Sequence, residues 1–209
     1  MPPHRVYIES HLGGGSVLRH KKSAERNIGV EIDPATLKKW SEKPASTELE
    51  IHHGDAVSFL TEFDFHGGEL VYSDPPYLAR TRRQDRVYTY DYTDADHVRL
   101  VSALKKLPCY VMLSGYDNEL YNTMLPEWRK VTFSAKAHTD VRKECVWLNF
   151  PEPEMLHDSR YLGSTYRERQ TIQRRQMRIR SRIDCMPPIE RNELLRWATE
   201  TYGPIEEIA

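Results

Sequence analysis

Cysteine is scarce in this chain of 209 residues, a basic excess is absent, and no apolar run approaches the length of a membrane span. Each shortage excludes something. Cys109, Cys145 and Cys185 stand far apart with no zinc-ligand spacing, and two of them sit in apolar runs, so they read as reduced core residues of a cytosolic protein. Lys and Arg number 30 against 31 Asp and Glu, a formal charge of -1, so the whole chain is not the basic body of a strong nonspecific DNA binder. Without a spanning stretch or a signal peptide, a membrane partner is not expected. No repeat is visible, and the length suits one core-forming domain with an appendage.

What the chain does have is organised around Ser73-Asp74-Pro75-Pro76-Tyr77, which ends the apolar run Glu69-Leu70-Val71-Tyr72. That run reads as a buried strand. In an open α/β sheet, ligands bind at the carboxyl ends of the strands. Pro75 and Pro76 lack amide protons and hold a fixed φ, which leaves stiffly placed carbonyls free to accept. Asp74 and the Pro75 carbonyl then form two acceptors aimed at one point, matched by a planar amino group such as N6 of adenine. Tyr77 offers a ring for the face of that base.

Upstream, the strand Val6-Tyr7-Ile8-Glu9 is followed by His11-Leu12-Gly13-Gly14-Gly15-Ser16 and a helix expected from about Val17 to Ala24. Strand, glycine loop and helix open a nucleotide-binding unit, although the spacing is not the dinucleotide fingerprint. A second strand, Asn27 to Ile32, ends at Glu31 and Asp33. A carboxylate there can accept both hydroxyls of a ribose. Asp33-Pro34 reads as an N-cap with proline in the first turn of a helix reaching about Glu42, which leaves Glu31 for the ligand. The third strand, Glu48 to His53, leads to Asp55, either a cap for the helix Val57 to Glu62 or a ligand contact. His52 and His53 are adjacent on a strand and point to opposite faces, so no metal site is expected from them.

After Tyr77 come Arg80, Arg82, Arg83 and Arg86, then Tyr88, Tyr90 and Tyr92, residue types suited to phosphate contact and base stacking. Thr93 to Asp96 caps a helix to about Lys106, and Cys109 to Leu113 is a fifth strand ending at Ser114-Gly115-Tyr116. A helix from about Asn118 to Met124 follows. Trp128 to Ser134 and Glu144 to Phe150 read as an antiparallel pair around a polar loop, Ala135 to Lys143. The whole predicts a Rossmann-like, doubly wound, mainly parallel α/β sheet with an antiparallel C-terminal strand. Pro151 and Pro153 mark its end, giving a domain at 1–152 and a helical extension at 153–209. That extension is basic first, with Arg160 to Arg182 on one expected helix that includes Arg174, Arg175 and Arg178, and acidic after Pro187-Pro188. Such an arginine helix suits nucleic-acid phosphate or a solvated arm.

Asp74-Pro75-Pro76-Tyr77 resembles the catalytic motif of S-adenosylmethionine-dependent amino-methyltransferases. With the glycine loop, Glu31 and Asp55 in the same order, residues 4 to 150 resemble the Dam-like DNA adenine N6 methyltransferases. Leu113-Ser114-Gly115-Tyr116 and Glu144 to Phe150 resemble phage and prophage members, where packing is their expected role, with Ser114 lining the pocket as the alternative. The resemblance implies a cofactor pocket in which His11, Gly13 and Gly15 surround the methionine end, Glu31 binds ribose, Asp55 bonds the cofactor's adenine and Asp74 stands at the junction with DNA. It implies direct methyl transfer to a flipped adenine stacked on Tyr77, without metal or covalent intermediate.

The chain departs from the pattern in three places. His11 stands where the family commonly has Phe; 18 residues separate Asp55 from Asp74, where a recognition insertion is usual; and the chain starts close to the first strand, where a further segment usually helps close the pocket. Recognition then falls to the loop after Tyr77 and the extension, or is loose. Transfer to cytosine N4, where Ser is more usual than Asp74, and a noncatalytic or truncated nucleic-acid-binding protein remain the alternatives. RNA or glutamine methylation would more often carry Asn there.

Overall fold

A computed structural model describes residues 1–42, 48–82, 89–137 and 140–203; Arg83 and Tyr88 lie outside the described residues. The chain divides into two compact units, Pro2–Met155 and Leu156–Ala209 with Met1.

In the first unit, β1 (Val6–Glu9), β2 (Arg26–Glu31), β3 (Glu50–His53), β4 (Glu69–Ser73) and β5 (Tyr110–Tyr116) run parallel, joined through helices. They combine with β6 (Arg129–Ala137) and β7 (Asp140–Leu148) in one sheet of order β3-β2-β1-β4-β5-β7-β6. Only β7 opposes its neighbours, and it lies between β5 and β6. The winding reverses at β1, whose two neighbours are β2 and β4. A crevice therefore opens between the carboxyl ends of β1 and β4.

The central parallel strands are buried on both faces, so β1, β4 and β5 are mostly apolar, whereas the edge strand β3 is exposed and carries Glu50, His52 and His53. One face is covered by α3 (Ala56–Glu62), α4 (Asp94–Leu104) and α5 (Glu119–Met124), where Val57, Leu60, Leu100, Leu104 and Tyr121 join Ile8, Ile28, Val71 and Val111 in one cluster. On the other face, α1 (Ser16–His20) and α2 (Pro34–Glu42) bring in Leu18 and Trp40. A Cβ on Gly29 would lie 2.7 Å from Leu12, so a glycine in β2 lets the loop after β1 settle on the sheet.

Three boundaries differ from the sequence expectation. α1 stops at His20 because the buried Asn27 draws Ala24 into a turn, accepting from its amide at 3.2 Å and donating to its carbonyl at 3.1 Å. Strand β5 continues through Tyr116, held by antiparallel pairing with β7 to Glu144. The expected loop Ala135 to Lys143 is mostly ladder instead, with pairs running to Ala137 and Asp140, because backbone pairing at an edge does not require apolar side chains.

The second unit carries α6 (Tyr166–Asp184) and α7 (Pro188–Tyr202), neither with a buried residue. Arg160 is not on α6. It sits in a short turn before it, paired with Asp158 at 2.6 Å, and Thr165 caps the helix. No helix among the described residues is long and apolar enough to cross a membrane.

Candidate active site

The crevice is a cavity of about 390 Å³ whose lining comes largely from the carboxyl ends of β1, β2, β3 and β4. His11, Gly13, Glu31, Asp55 and Asp74, all singled out in the sequence, meet there. Thr36, Asp96 and Arg99 also line it; they project from α2 and α4, and no strand-end motif marks them.

Glu31 holds the loop after β1 in place. Its Oε2 accepts from the Gly13 amide and its Oε1 from the Asp33 amide, both at 2.8 Å. Asp33 caps α2, accepting from Ala35 N at 2.9 Å. Gly13, at φ 47°, has a backbone conformation that suits glycine, and its carbonyl accepts from Trp40 Nε1 at 2.8 Å. Gly15 departs from expectation. It is buried, and a Cβ there would lie 2.5 Å from Trp40, so its bare face admits the indole rather than a ligand.

Asp55 has both oxygens engaged. Oδ1 caps α3 by accepting from Ser58 N at 2.9 Å, and Oδ2 pairs with Arg99 at 2.7 Å. Burial raises its pKa, but the bonds from Ser58 and Arg99 outweigh it and hold the carboxyl below the usual range. A nucleobase amino group at Asp55 would share an oxygen that already has a partner.

His11 is the hub of a polar cluster. Its Nε2 lies 2.9 Å from the Tyr92 hydroxyl, and its Nδ1 lies 3.1 Å from Ser10 Oγ and 3.3 Å from Ser73 Oγ. Burial lowers its pKa to about 3, so the ring is neutral. Behind Tyr92, the buried His97 stacks edge-on at 5.3 Å and lies 2.7 Å from the Tyr121 hydroxyl.

Asp74 emerges from β4 into the cavity, open to solvent but walled on most sides by protein. Ser114, next door on β5, donates to its Oδ1 at 2.6 Å, and Tyr72 donates to Ser114 at 3.2 Å. Burial raises the Asp74 pKa against the pull of hydrogen bonds from Ser114 and Tyr77. Among the described residues nothing donates to the Pro75 carbonyl. Pro76 lines the cavity, and the Tyr77 ring meets Tyr116 edge-on at 4.7 Å.

Arg82 departs from its expected role at the DNA. Its side chain is only 5% exposed, donates to the Tyr77 carbonyl and makes a two-pronged pair with Asp91 at 2.5 and 2.9 Å. An arginine so enclosed is spent on the fold. Arg80 is exposed and pairs with Asp94 at 2.6 Å, while Tyr90 is exposed at the cavity wall. Arg174, Arg175 and Arg178 are on α6, in the second unit.

One acid was missed in the sequence. Glu9, the last residue of β1, is buried, and its Oε2 accepts from Tyr7 Oη at 3.0 Å and from Leu18 N at 3.1 Å. Burial pushes its pKa up to about 7. A charged residue closing an otherwise apolar strand beside the glycine loop was the available signal.

A family model described as D12 class N6 adenine-specific DNA methyltransferase matches residues 24–142, a stretch that holds Glu31, Asp55 and Asp74. No curated protein sequence matches the chain. Similar solved structures include a SAM-dependent methyltransferase from Anabaena variabilis, at TM-score 0.48 and 9% identity over 71% of this chain and 77% of that one. The N-methyltransferase NodS from Bradyrhizobium japonicum gives TM-score 0.47 and 11% identity over 71% and 86%. The N-terminal domain of human METTL16 in complex with SAH gives TM-score 0.45 and 11% identity over 71% and 62%.

Proposed function

The chain belongs to the D12 class N6 adenine-specific DNA methyltransferase family, and we propose that it transfers a methyl group from S-adenosylmethionine to N6 of an adenine turned out of duplex DNA. The observation that carries this reading is Asp74, which lines the cavity that holds Glu31 at the end of β4 and is followed by Pro75, whose carbonyl has no donor among the described residues.

The residues present fit this cofactor. The cavity volume falls within the range of small-molecule sites. Glu31 has its oxygens at the rim of β2, each with capacity left to accept a ribose hydroxyl. Asp33, Asp55, Asp74 and Asp96 make the lining acidic, which suits a positively charged ligand. When bound, S-adenosylmethionine supplies a methyl carbon activated by positively charged sulfur.

The chain's own groups supply position and charge. Ser114 fixes Asp74 Oδ1, and the carboxylate, with about four lone-pair sites, keeps capacity to accept one amino proton, while the Pro75 carbonyl accepts the other. Both bonds strengthen as positive charge develops on the nitrogen, so they act in the transition state. A carboxylate whose pKa burial has raised is also a better acceptor for the proton that the alkylated nitrogen must release. Tyr77, braced by Tyr116, offers its face to the base, and holding the two reactants in line supplies much of the remainder. Adenine N6 is out of reach inside a duplex, so the base is flipped. Tyr90 and Arg80, both exposed near this mouth, are placed to meet the DNA.

The test is incubation of the full chain with S-adenosylmethionine bearing a deuterated methyl group and duplex DNA, followed by mass spectrometry of the nucleosides. Labelled N6-methyldeoxyadenosine, lost in Asp74→Asn, is the expected result. Labelled N4-methyldeoxycytidine would move the assignment to cytosine, and cofactor binding with no labelled nucleoside would make the chain a noncatalytic member.

A further inference from the structure

We infer that one face of α6 is a track for the phosphates of duplex DNA, separate from the cavity and independent of base chemistry. The helix carries seven arginines, Arg167, Arg169, Arg174, Arg175, Arg178, Arg180 and Arg182, against Glu168 and Asp184, a net of +5 over 19 residues. None of the seven is within ion-pair distance of a carboxylate among the described residues. Their charge is therefore not spent inside the protein.

Their spacing sorts them. At 3.6 residues per turn, Arg167, Arg174, Arg175, Arg178 and Arg182 fall within roughly 100° of arc. All five are exposed. Thr171 lies within the same strip, Ser181 and Glu168 border its two edges, and it holds no large apolar side chain. Arg169 and Arg180 fall on the far side, with Gln173 and Gln176 beside them. Ile172, Ile179 and Ile183 form a narrow flank.

This arrangement favours one kind of partner. A helix that lies on a membrane carries a broad apolar face opposite its cations, and here that side has glutamine and arginine instead. A strip of one sign, built from planar forks that match phosphate oxygens, suits a polyphosphate backbone. The choice of duplex DNA rests on the reading of the chain as a DNA methyltransferase. A phosphate track would give sequence-independent hold, which the cavity residues do not provide.

The experiment is fluorescence anisotropy of the full chain on a short labelled duplex over a range of salt. The slope of log affinity against log salt reports about 0.9 per phosphate neutralised. Arg174→Gln with Arg178→Gln should flatten that slope by about two, and Arg169→Gln with Arg180→Gln should leave it nearly unchanged. Calorimetry with S-adenosylmethionine on each variant checks that the first unit remains folded. Equal slopes for both pairs, or no change in the first, would overturn the track. So would equal or tighter binding to single-stranded RNA, or to vesicles of phosphatidylserine and phosphatidylcholine. If the slopes separate but no methyladenine forms, the methylation reading fails and the track stands. If methyladenine forms and the slopes do not separate, the track fails and the methylation reading stands.

Discussion

Ser114 Oγ lies 2.6 Å from Asp74 Oδ1 and donates to it, so the strand beside the Asp74-Pro75-Pro76-Tyr77 motif fixes one oxygen of the carboxylate. The bond favours the charged form, while burial favours the neutral one and wins, holding the Asp74 pKa above its ordinary value. Ser114→Ala removes that support, and protonation of Asp74 becomes easier still. In the proposed mechanism methylation requires the ionised Asp74, so activity is expected above the folded pKa and lost as pH falls through it. The variant should lose about ten- to a hundredfold in rate at mildly acidic pH, the worth of a hydrogen bond to a charged group, and much less at alkaline pH. A pH–rate profile with an unmoved acid limb would count against Asp74 as the group that sets it.

Glu9 gives a stability prediction of opposite sign to the usual carboxylate. Its folded pKa is raised to about 7, mainly by burial. The folded state therefore holds the proton more tightly than the unfolded chain does. Stability is greatest below the unfolded pKa and declines as pH rises through about 7. Both donors to Glu9, Tyr7 Oη and Leu18 N, reach the same oxygen, Oε2, so a glutamine can place its carbonyl there and keep both bonds. Glu9→Gln should gain on the order of 2 kcal/mol over wild type at alkaline pH and little at acid pH, measured by urea unfolding. A gain independent of pH would show that Glu9 is not the group titrating.

The fold was legible wherever the pattern was local. Apolar runs closed by Asp, Gly or Pro marked the strands, and Asp33, Asp55 and Thr93 announced their helices, with Thr93 and Asp96 completing a capping box. Strand-end acids were legible for the same reason, since Glu31 and Asp74 each end an apolar run and each reach the cavity. Relations between distant segments were not. Nothing near Gly15 says that Trp40 will press on it, and nothing near Arg82 says that Asp91 will claim both its prongs. Ser114 could be read as packing or as pocket lining, but not as the partner of Asp74, which is 40 positions away and brought beside it by the pairing of β4 with β5.

Arg82 and Asp91 pair with each other on the segment that follows the Asp74-Pro75-Pro76-Tyr77 motif. Arg82 reaches the Tyr77 carbonyl as well, and Asp91 Oδ1 accepts from Tyr92 N at 3.0 Å. The pair thus ties the backbone at Tyr77 to the wall of the cavity. Arg82→Ala strands a carboxylate in a largely enclosed place and should cost about 3 kcal/mol in chemical unfolding. Arg82→Lys keeps the charge but not the two-pronged geometry, so it should recover less than half of that loss. Full recovery with lysine would show that charge alone matters there.

His11 stands where the resemblance leads one to expect Phe, and its surroundings show why the ring is not simply exchangeable. Ser10 and Ser73 are both buried, and His11 Nδ1 is the polar partner of each hydroxyl; Nε2 serves Tyr92. Restoring an apolar ring leaves two buried hydroxyls unpaired, a cost of about 1–3 kcal/mol each at most. His11→Phe should therefore lower stability by about 2 kcal/mol, and adding Ser10→Ala and Ser73→Ala should return most of it. Tyr92→Phe breaks the remaining link between the loop after β1 and the opposite wall, so it should weaken S-adenosylmethionine binding by roughly five- to tenfold, the worth of one hydrogen bond. Made together, His11→Phe and Tyr92→Phe should weaken binding by less than the product of the single effects, because each alone already breaks the shared bond. Because burial holds His11 neutral, none of these effects should change with pH in the neutral range. Strictly multiplicative binding losses in calorimetric titrations would show that the two rings act on the cofactor independently.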